Sequence, residues 1–232
     1  MNKRQIFLAG DSTMADYPSS SFPQMGWGQE LSAFFTEEIS IQNKAMNGRS
    51  TKTFLAEGRL DEIKESLQPG DFLFIQFGHN DSKREEARGT DPFSTYQENL
   101  RTFIETAKSK GATPLLLTPI QRRKFEDDGT LQQTHGSYPT AMRQVAKTES
   151  VILIDMTALT SEFLLNLGPE RSKQYFMWLD KTESVNFSEG AKDDTHLNQT
   201  GARQIAKIAA EAIVQEDGPL SKYVQLPDQN RI

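Results

Sequence analysis

No cysteine occurs among the 232 residues. Disulfide frameworks, thiolate zinc centres and cysteine nucleophiles are excluded together, while the absence is compatible with the cytoplasm without proving it. Histidine is scarce: only His79, His135 and His196 can supply an imidazole base. Long hydrophobic runs are missing, the first being the four residues Ile6-Phe7-Leu8-Ala9 after a polar, basic stretch at 1–5. That is too short for a signal-peptide core or a membrane span. The expectation is a cytoplasmic protein with no membrane partner, although a trimmed secreted form would read the same. Basic charge is not in excess, with 26 Lys and Arg against 32 Asp and Glu and a net charge of -6. This argues against a general nucleic-acid binder. Internal repeats and low-complexity blocks are also missing.

What remains is an ordinary globular balance, long enough to bury a core without staples. The expectation is one domain over 1–232, with 218–232 as a tail packed on the surface or partly disordered. Five short apolar runs recur: Ile6-Phe7-Leu8-Ala9, Ile39-Ser40-Ile41, Phe72-Leu73-Phe74-Ile75-Gln76-Phe77, Pro114-Leu115-Leu116-Leu117 and Val151-Ile152-Leu153-Ile154. Each is short and nearly continuous, as in parallel strands buried on both faces. Helical patterns lie between them. Asp91-Pro92 reads as a cap with proline at the first helical position, leading into Phe93, Tyr96, Leu100, Phe103, Ile104 and Ala107, with Gly111 to close. Ile205, Ile208, Ala209, Ala212 and Ile213 form a second apolar face. The alternation predicts an α/β/α three-layer sandwich around a five-stranded parallel sheet, in the flavodoxin-like order 2-1-3-4-5. Ligands of such sheets lie at the carboxyl ends of the strands, beside the switch point.

Four unusual segments fall there: Gly10-Asp11-Ser12-Thr13 after the first strand, Asn47-Gly48-Arg49-Ser50 after the second, Gly78-His79-Asn80-Asp81 after the third, and Asp193-Asp194-Thr195-His196 before the last helix, which Asn198 can cap. Acyl transfer needs this set of groups. A serine hydroxyl is a poor nucleophile until an imidazole accepts its proton, and a carboxylate must fix the imidazole tautomer. Ser12 is the candidate nucleophile and His196 the base. Asp193, three residues before His196, can face the far ring nitrogen across one tight turn, with Asp194 as its rival. The backbone N–H groups of Ser12 and Gly48 and the side-chain amide of Asn80 are candidate oxyanion donors, glycine at 48 letting the backbone approach closely.

These segments resemble, in order and over nearly the whole chain, the sequence blocks of the SGNH (GDSL) hydrolases. Gly10-Asp11-Ser12-Thr13-Met14-Ala15, Gly26-Trp27-Gly28-Gln29, Asn47-Gly48-Arg49-Ser50, Phe77-Gly78-His79-Asn80-Asp81 and Asp194-Thr195-His196-Leu197-Asn198 resemble its rhamnogalacturonan acetylesterase branch. Thr13 departs from the leucine usual in the wider family, a change the acetylesterase branch tolerates. The resemblance implies a cofactor-free esterase that removes acetyl groups from pectin-derived oligosaccharide or polysaccharide, through an acetyl-serine intermediate.

Other residues have two readings. Asp11 and Asp81 read as braces of their turns. His79 orients its loop or touches substrate. Trp27 packs in the core or lines the pocket. Tyr138, opening a helix with Pro139, helps shape the site. Arg122, Arg123 and Lys124 open a polar stretch, 121–137, placed to overhang the site. They form a solvated face or attract an anionic chain, Arg122 being the candidate substrate contact. Asp81, Asp193, Asp194, His79 and His196 are a metal-ligand alternative that would leave Ser12 and Asn80 without a task. The same chemistry on lipid or thioester substrates, and a non-catalytic sugar-binding module, are the rival functions. The oligomeric state is not legible.

Overall fold

A computed structural model describes residues 3–227. Five strands, β1 (Arg4–Gly10), β2 (Ile39–Asn43), β3 (Phe72–Gln76), β4 (Thr113–Leu117) and β5 (Ile152–Ile154), form one sheet in the order β2-β1-β3-β4-β5. Every neighbouring pair is parallel. The expected sandwich and strand order are therefore present. Alternation along the strands divides the core in two. Ile6, Leu8, Phe72, Phe74, Leu115 and Leu117 face one side, which is covered by α1 (Trp27–Glu30), α6 (Met156–Arg171) and α7 (Gln199–Gln215). Phe7, Ala9, Leu73, Ile75 and Leu116 face the other, under α2 (Thr51–Ala56), α3 (Arg59–Ser66), α4 (Thr95–Ser109) and α5 (Tyr138–Glu149).

Three expectations change. Helix α4 starts at Thr95 rather than at Pro92, because Asp91 builds a turn ahead of it: its Oδ1 accepts from Phe93 N and Ser94 Oγ, both at 3.1 Å. Phe93 is left half exposed, outside the apolar face. The stretch from Gly218 is also anchored, since Leu220 and Tyr223 are buried in the core and Val224 bridges to Phe35; residues 228–232 lie outside the described part. Finally, β6 (Phe176–Leu179) and β7 (Ala191–Leu197) form an antiparallel ribbon apart from the main sheet, which the apolar pattern did not announce.

Ser12, Gly48 and Asn80 follow β1, β2 and β3, three neighbours in the sheet. The chain reverses its direction of travel between β1 and β3, the crevice position favoured for ligands. The ribbon brings Asp193 and His196 to the same end.

Candidate active site

The turn after β1 is braced from inside. Met14 N and Ala15 N donate to Asp11 O at 3.1 and 3.0 Å. Asp11 is fully buried, and its Oδ1 accepts from Thr13 N at 3.0 Å and Thr13 Oγ1 at 2.9 Å. Burial raises its carboxyl to about 6, against the pull of those two bonds and of the positive charges nearby. Thr13, the departure from leucine, thus gives the turn a second donor. Tyr17 Oη donates to Ser12 O at 3.0 Å, and burial pushes its phenol up to about 12, so it stays protonated. Ser12 is half-buried at the apex.

The ribbon is distorted where its polar residues sit. Met177 pairs with Asp193, and Phe176, one step away, pairs with Leu197. Residues 194–196 therefore bulge from β7. Asp193 shapes that bulge: its Oδ1 accepts from Thr195 N at 2.7 Å and from His196 N at 3.0 Å. The ring is folded back so that Nδ1 lies 2.6 Å from Asp193 Oδ2. Nε2 lies 3.0 Å from Ser12 Oγ, across 184 residues of sequence. Burial alone would raise Asp193, but the bond and charge of His196, with the two N–H donors, outweigh it and hold the carboxyl at about 2. An anion at Nδ1 keeps the neutral ring's proton there and leaves Nε2 to accept from the serine hydroxyl.

Asp194 is not an alternative partner for the ring. Its Oδ1 accepts from Arg123 Nε at 2.8 Å and from Trp178 Nε1 at 2.8 Å, with Arg123 Nη2 at 2.7 Å. Arg123 N also donates to Asp194 O at 2.8 Å, and the guanidinium lies 4.6 Å from the Trp178 ring centroid. The basic run is accordingly no uniform solvated face. Arg123 is buried, Lys124 is exposed, and Arg122 is half-buried, donating to Thr134 O and His79 O at 3.2 Å each.

On the oxyanion side, Gly48 has φ of +78°, and an added Cβ would meet only Arg88 Nη1, at 3.5 Å. The left-handed backbone adds a second reason for glycine there, beside the close approach read from the sequence. Asn80 Nδ2 donates to Arg49 O at 2.9 Å, and its Oδ1 accepts from Arg88 Nη1 at 2.9 Å. Among the described residues no protein acceptor takes the backbone N–H of Ser12 or Gly48. Asp81 is a brace, as read: it accepts from Thr51 N, from Thr51 Oγ1 at 2.5 Å and from Thr90 Oγ1 at 3.1 Å.

Three candidate substrate contacts are buried, which favours the packing side of their readings. Trp27 is 0% exposed and donates Nε1 to Gln76 Oε1 at 2.9 Å, so it packs behind the nucleophile turn and presents no face to a ligand. Tyr138 donates to Thr90 O and packs edge-on against Tyr96. His79 is 3% exposed; its Nδ1 lies 3.0 Å from His135 Nε2, tying its loop to the 121–137 stretch. Burial lowers both imidazoles, His135 to about 3, so the pair is neutral. The sequence reading overlooked this pairing, as it did Arg88 and Gln76. Only Gln76 carried a signal, as the one polar residue in the run ending at Phe77. Among the described residues no three His, Asp or Glu side chains gather as a metal-holding group.

The pattern of a GDSL-like lipase/acylhydrolase family matches residues 8–204. The chain belongs to that family. Two relatives from Bacillus subtilis (strain 168) are similar over almost their whole length. Rhamnogalacturonan acetylesterase RhgT is 44% identical over 95% of this chain and 94% of its own. Probable rhamnogalacturonan acetylesterase YesY is 41% identical over 94% and 96%. Among solved structures, that of Bacillus subtilis YxiM superposes with a TM-score of 0.80 at 28% identity, covering 94% of this chain and 58% of that one. The family match takes in the segments of Ser12, Gly48, Asn80, Asp193 and His196.

Proposed function

We propose that this carboxylic ester hydrolase removes acetyl groups from a carbohydrate, with acetylated rhamnogalacturonan fragments as its substrate. One observation carries the reading: a half-buried serine Oγ 3.0 Å from an imidazole nitrogen whose partner nitrogen is held 2.6 Å from a carboxylate. Ser12 Oγ attacks the acetyl carbonyl carbon while His196 Nε2 takes the hydroxyl proton. The carbonyl oxygen becomes an anion, facing the N–H groups of Ser12 and Gly48 and the amide of Asn80. Collapse breaks the bond to the sugar oxygen, which receives the proton from His196. Water, deprotonated by the same nitrogen, then attacks the acetyl-serine and releases acetate. Asp193 stabilises the imidazolium formed in each half.

The sugar assignment is supported by the relatives named above and by Arg122, a half-buried guanidinium near Asp11 and Asp193 that, among the described residues, bonds only to carbonyl oxygens. Acetate release from acetylated rhamnogalacturonan, xylan and chitin oligomers, measured for wild type and Ser12→Ala, tests the proposal. The variant is expected to lose at least about a thousandfold in kcat. Undiminished hydrolysis by it would reject the serine mechanism, and a preference for octanoyl over acetyl esters would move the assignment to lipid-like substrates.

A further inference from the structure

Arg88 lies where the loops carrying Gly48 and Asn80 meet. Its Nη1 donates to Asn80 Oδ1 at 2.9 Å and to Gly48 O at 3.3 Å, while Glu86 Oε2 holds its Nε at 2.6 Å. The loop presenting it is folded back on itself. Glu86 N donates to Lys83 O at 2.9 Å, Gly89 N to Glu86 O at 2.8 Å and Thr90 N to Asp81 O at 3.1 Å. Gly89 permits the fold, since a Cβ there would lie 2.5 Å from Lys83 O and 2.6 Å from Arg84 Cα. The guanidinium is thus held on a braced loop, half-buried, against an amide.

A primary amide can turn by half a revolution, exchanging its acceptor oxygen for its donor nitrogen. In Asn80 the oxygen faces a cation and the nitrogen faces the carbonyl of Arg49. Turned over, it would set donor against donor and acceptor against acceptor. The two contacts therefore lock one orientation and fix where the second Nδ2 hydrogen points. A charge-assisted bond to the amide oxygen also polarises the group, making that N–H a stronger donor. Arg88 ties the Gly48 turn into the same unit.

We propose that Arg88 is a positioning residue for ester hydrolysis, acting through Asn80 by holding and polarising the amide that meets the oxyanion. This rests on the esterase reading above, in which Asn80 is a donor.

The test is a cycle of Arg88→Ala, Asn80→Ala and the double variant, with 4-nitrophenyl acetate as probe and folding checked by thermal melting. Arg88→Ala is expected to lower kcat about 10- to 100-fold, less than the loss of a whole donor, with KM within about threefold. In the Asn80→Ala background the same change is expected to cost less than about twofold, because the group it acts through is gone. Arg88→Lys should recover part of the loss, returning the charge without the planar fork. Equal losses in both backgrounds, or no loss in the wild-type background, would overturn the proposal. The side-chain NH2 resonance of Asn80, assigned by its disappearance in Asn80→Ala, reads the contact without turnover. It should move in Arg88→Ala and return towards its place in Arg88→Lys; an unmoved resonance overturns the proposal whatever the kinetics. If wild type and Ser12→Ala hydrolyse esters equally, the esterase reading fails, and the resonance still decides the Arg88 contact.

Discussion

Asp193 and Asp194 are adjacent in sequence and face opposite partners: Asp193 holds the His196 ring at 2.6 Å, and Asp194 holds buried Arg123 at 2.7 Å. The bulge in β7 makes this division, turning one carboxylate towards the serine and the other towards the 121–137 stretch.

The two aspartates should therefore separate activity from stability. Asp193→Asn keeps an oxygen for the N–H groups of Thr195 and His196 but sets an N–H against Nδ1. The ring is forced into the other tautomer, with its proton aimed at Ser12. A fall in kcat of about ten-thousandfold is expected, with little change in the urea midpoint. Asp194→Ala strips buried Arg123 of its carboxylate, leaving it the Pro169 carbonyl, and should cost about 3 kcal/mol of stability. Urea titrations alongside ester kinetics would show whether the effects divide this way.

Much of this was legible, for physical reasons. Buried parallel strands must be short and apolar, so five runs gave the strands, and strand–helix alternation gave their parallel crossovers. The serine, glycine and asparagine segments could be placed because each follows a strand directly. The ribbon could not, since β7 reads Ala191-Lys192-Asp193-Asp194-Thr195-His196-Leu197 and is held by pairing and side-chain bonds rather than by an apolar face. Of the two readings of Trp27 the core one holds, and local sequence could not decide it, because the enclosed ring finds its partner in Gln76, 49 residues away. Arg88 meets Asn80 within one irregular loop and Gly48 across two, and the His79–His135 contact also joins two loops, none of which a repeating local spacing announces.

Asp81 gives the fold a pH dependence. Burial raises its carboxyl from the usual 3.8 to about 7, despite the bonds from Thr51 and Thr90. The folded chain then keeps a proton that the unfolded chain releases. The stabilisation is complete below about 4 and is lost as pH rises through about 7. Asp11, raised to about 6, acts in the same direction. Between pH 5 and 8 the wild-type Tm is expected to fall more than that of Asp81→Asn, by at least about 3 °C, the shift that ~1 kcal/mol produces at this size. Parallel melting curves would show that Asp81 does not titrate across this range.

Arg122 should discriminate between substrates. Its guanidinium bonds to two carbonyl oxygens at 3.2 Å, and a uronate carboxylate would be a stronger partner. In Arg122→Gln, kcat/KM for an acetylated uronate-bearing oligomer is expected to fall about tenfold or more beyond any fall for a neutral aryl acetate, the worth of one charged hydrogen bond. Equal falls would assign the guanidinium to the electrostatics of Asp11 and Asp193 instead.

Because the base and its carboxylate ride on one bulged segment, outside the main sheet, they travel as a pair. A displacement of that hairpin would keep their mutual contact while opening the gap to the hydroxyl at the sheet's end, and it would also strain the ties of Asp194 to Arg123 and of Leu197 O to Met25 N. Those ties to the neighbouring loop and to the turn after β1 are what seat the imidazole beside the hydroxyl.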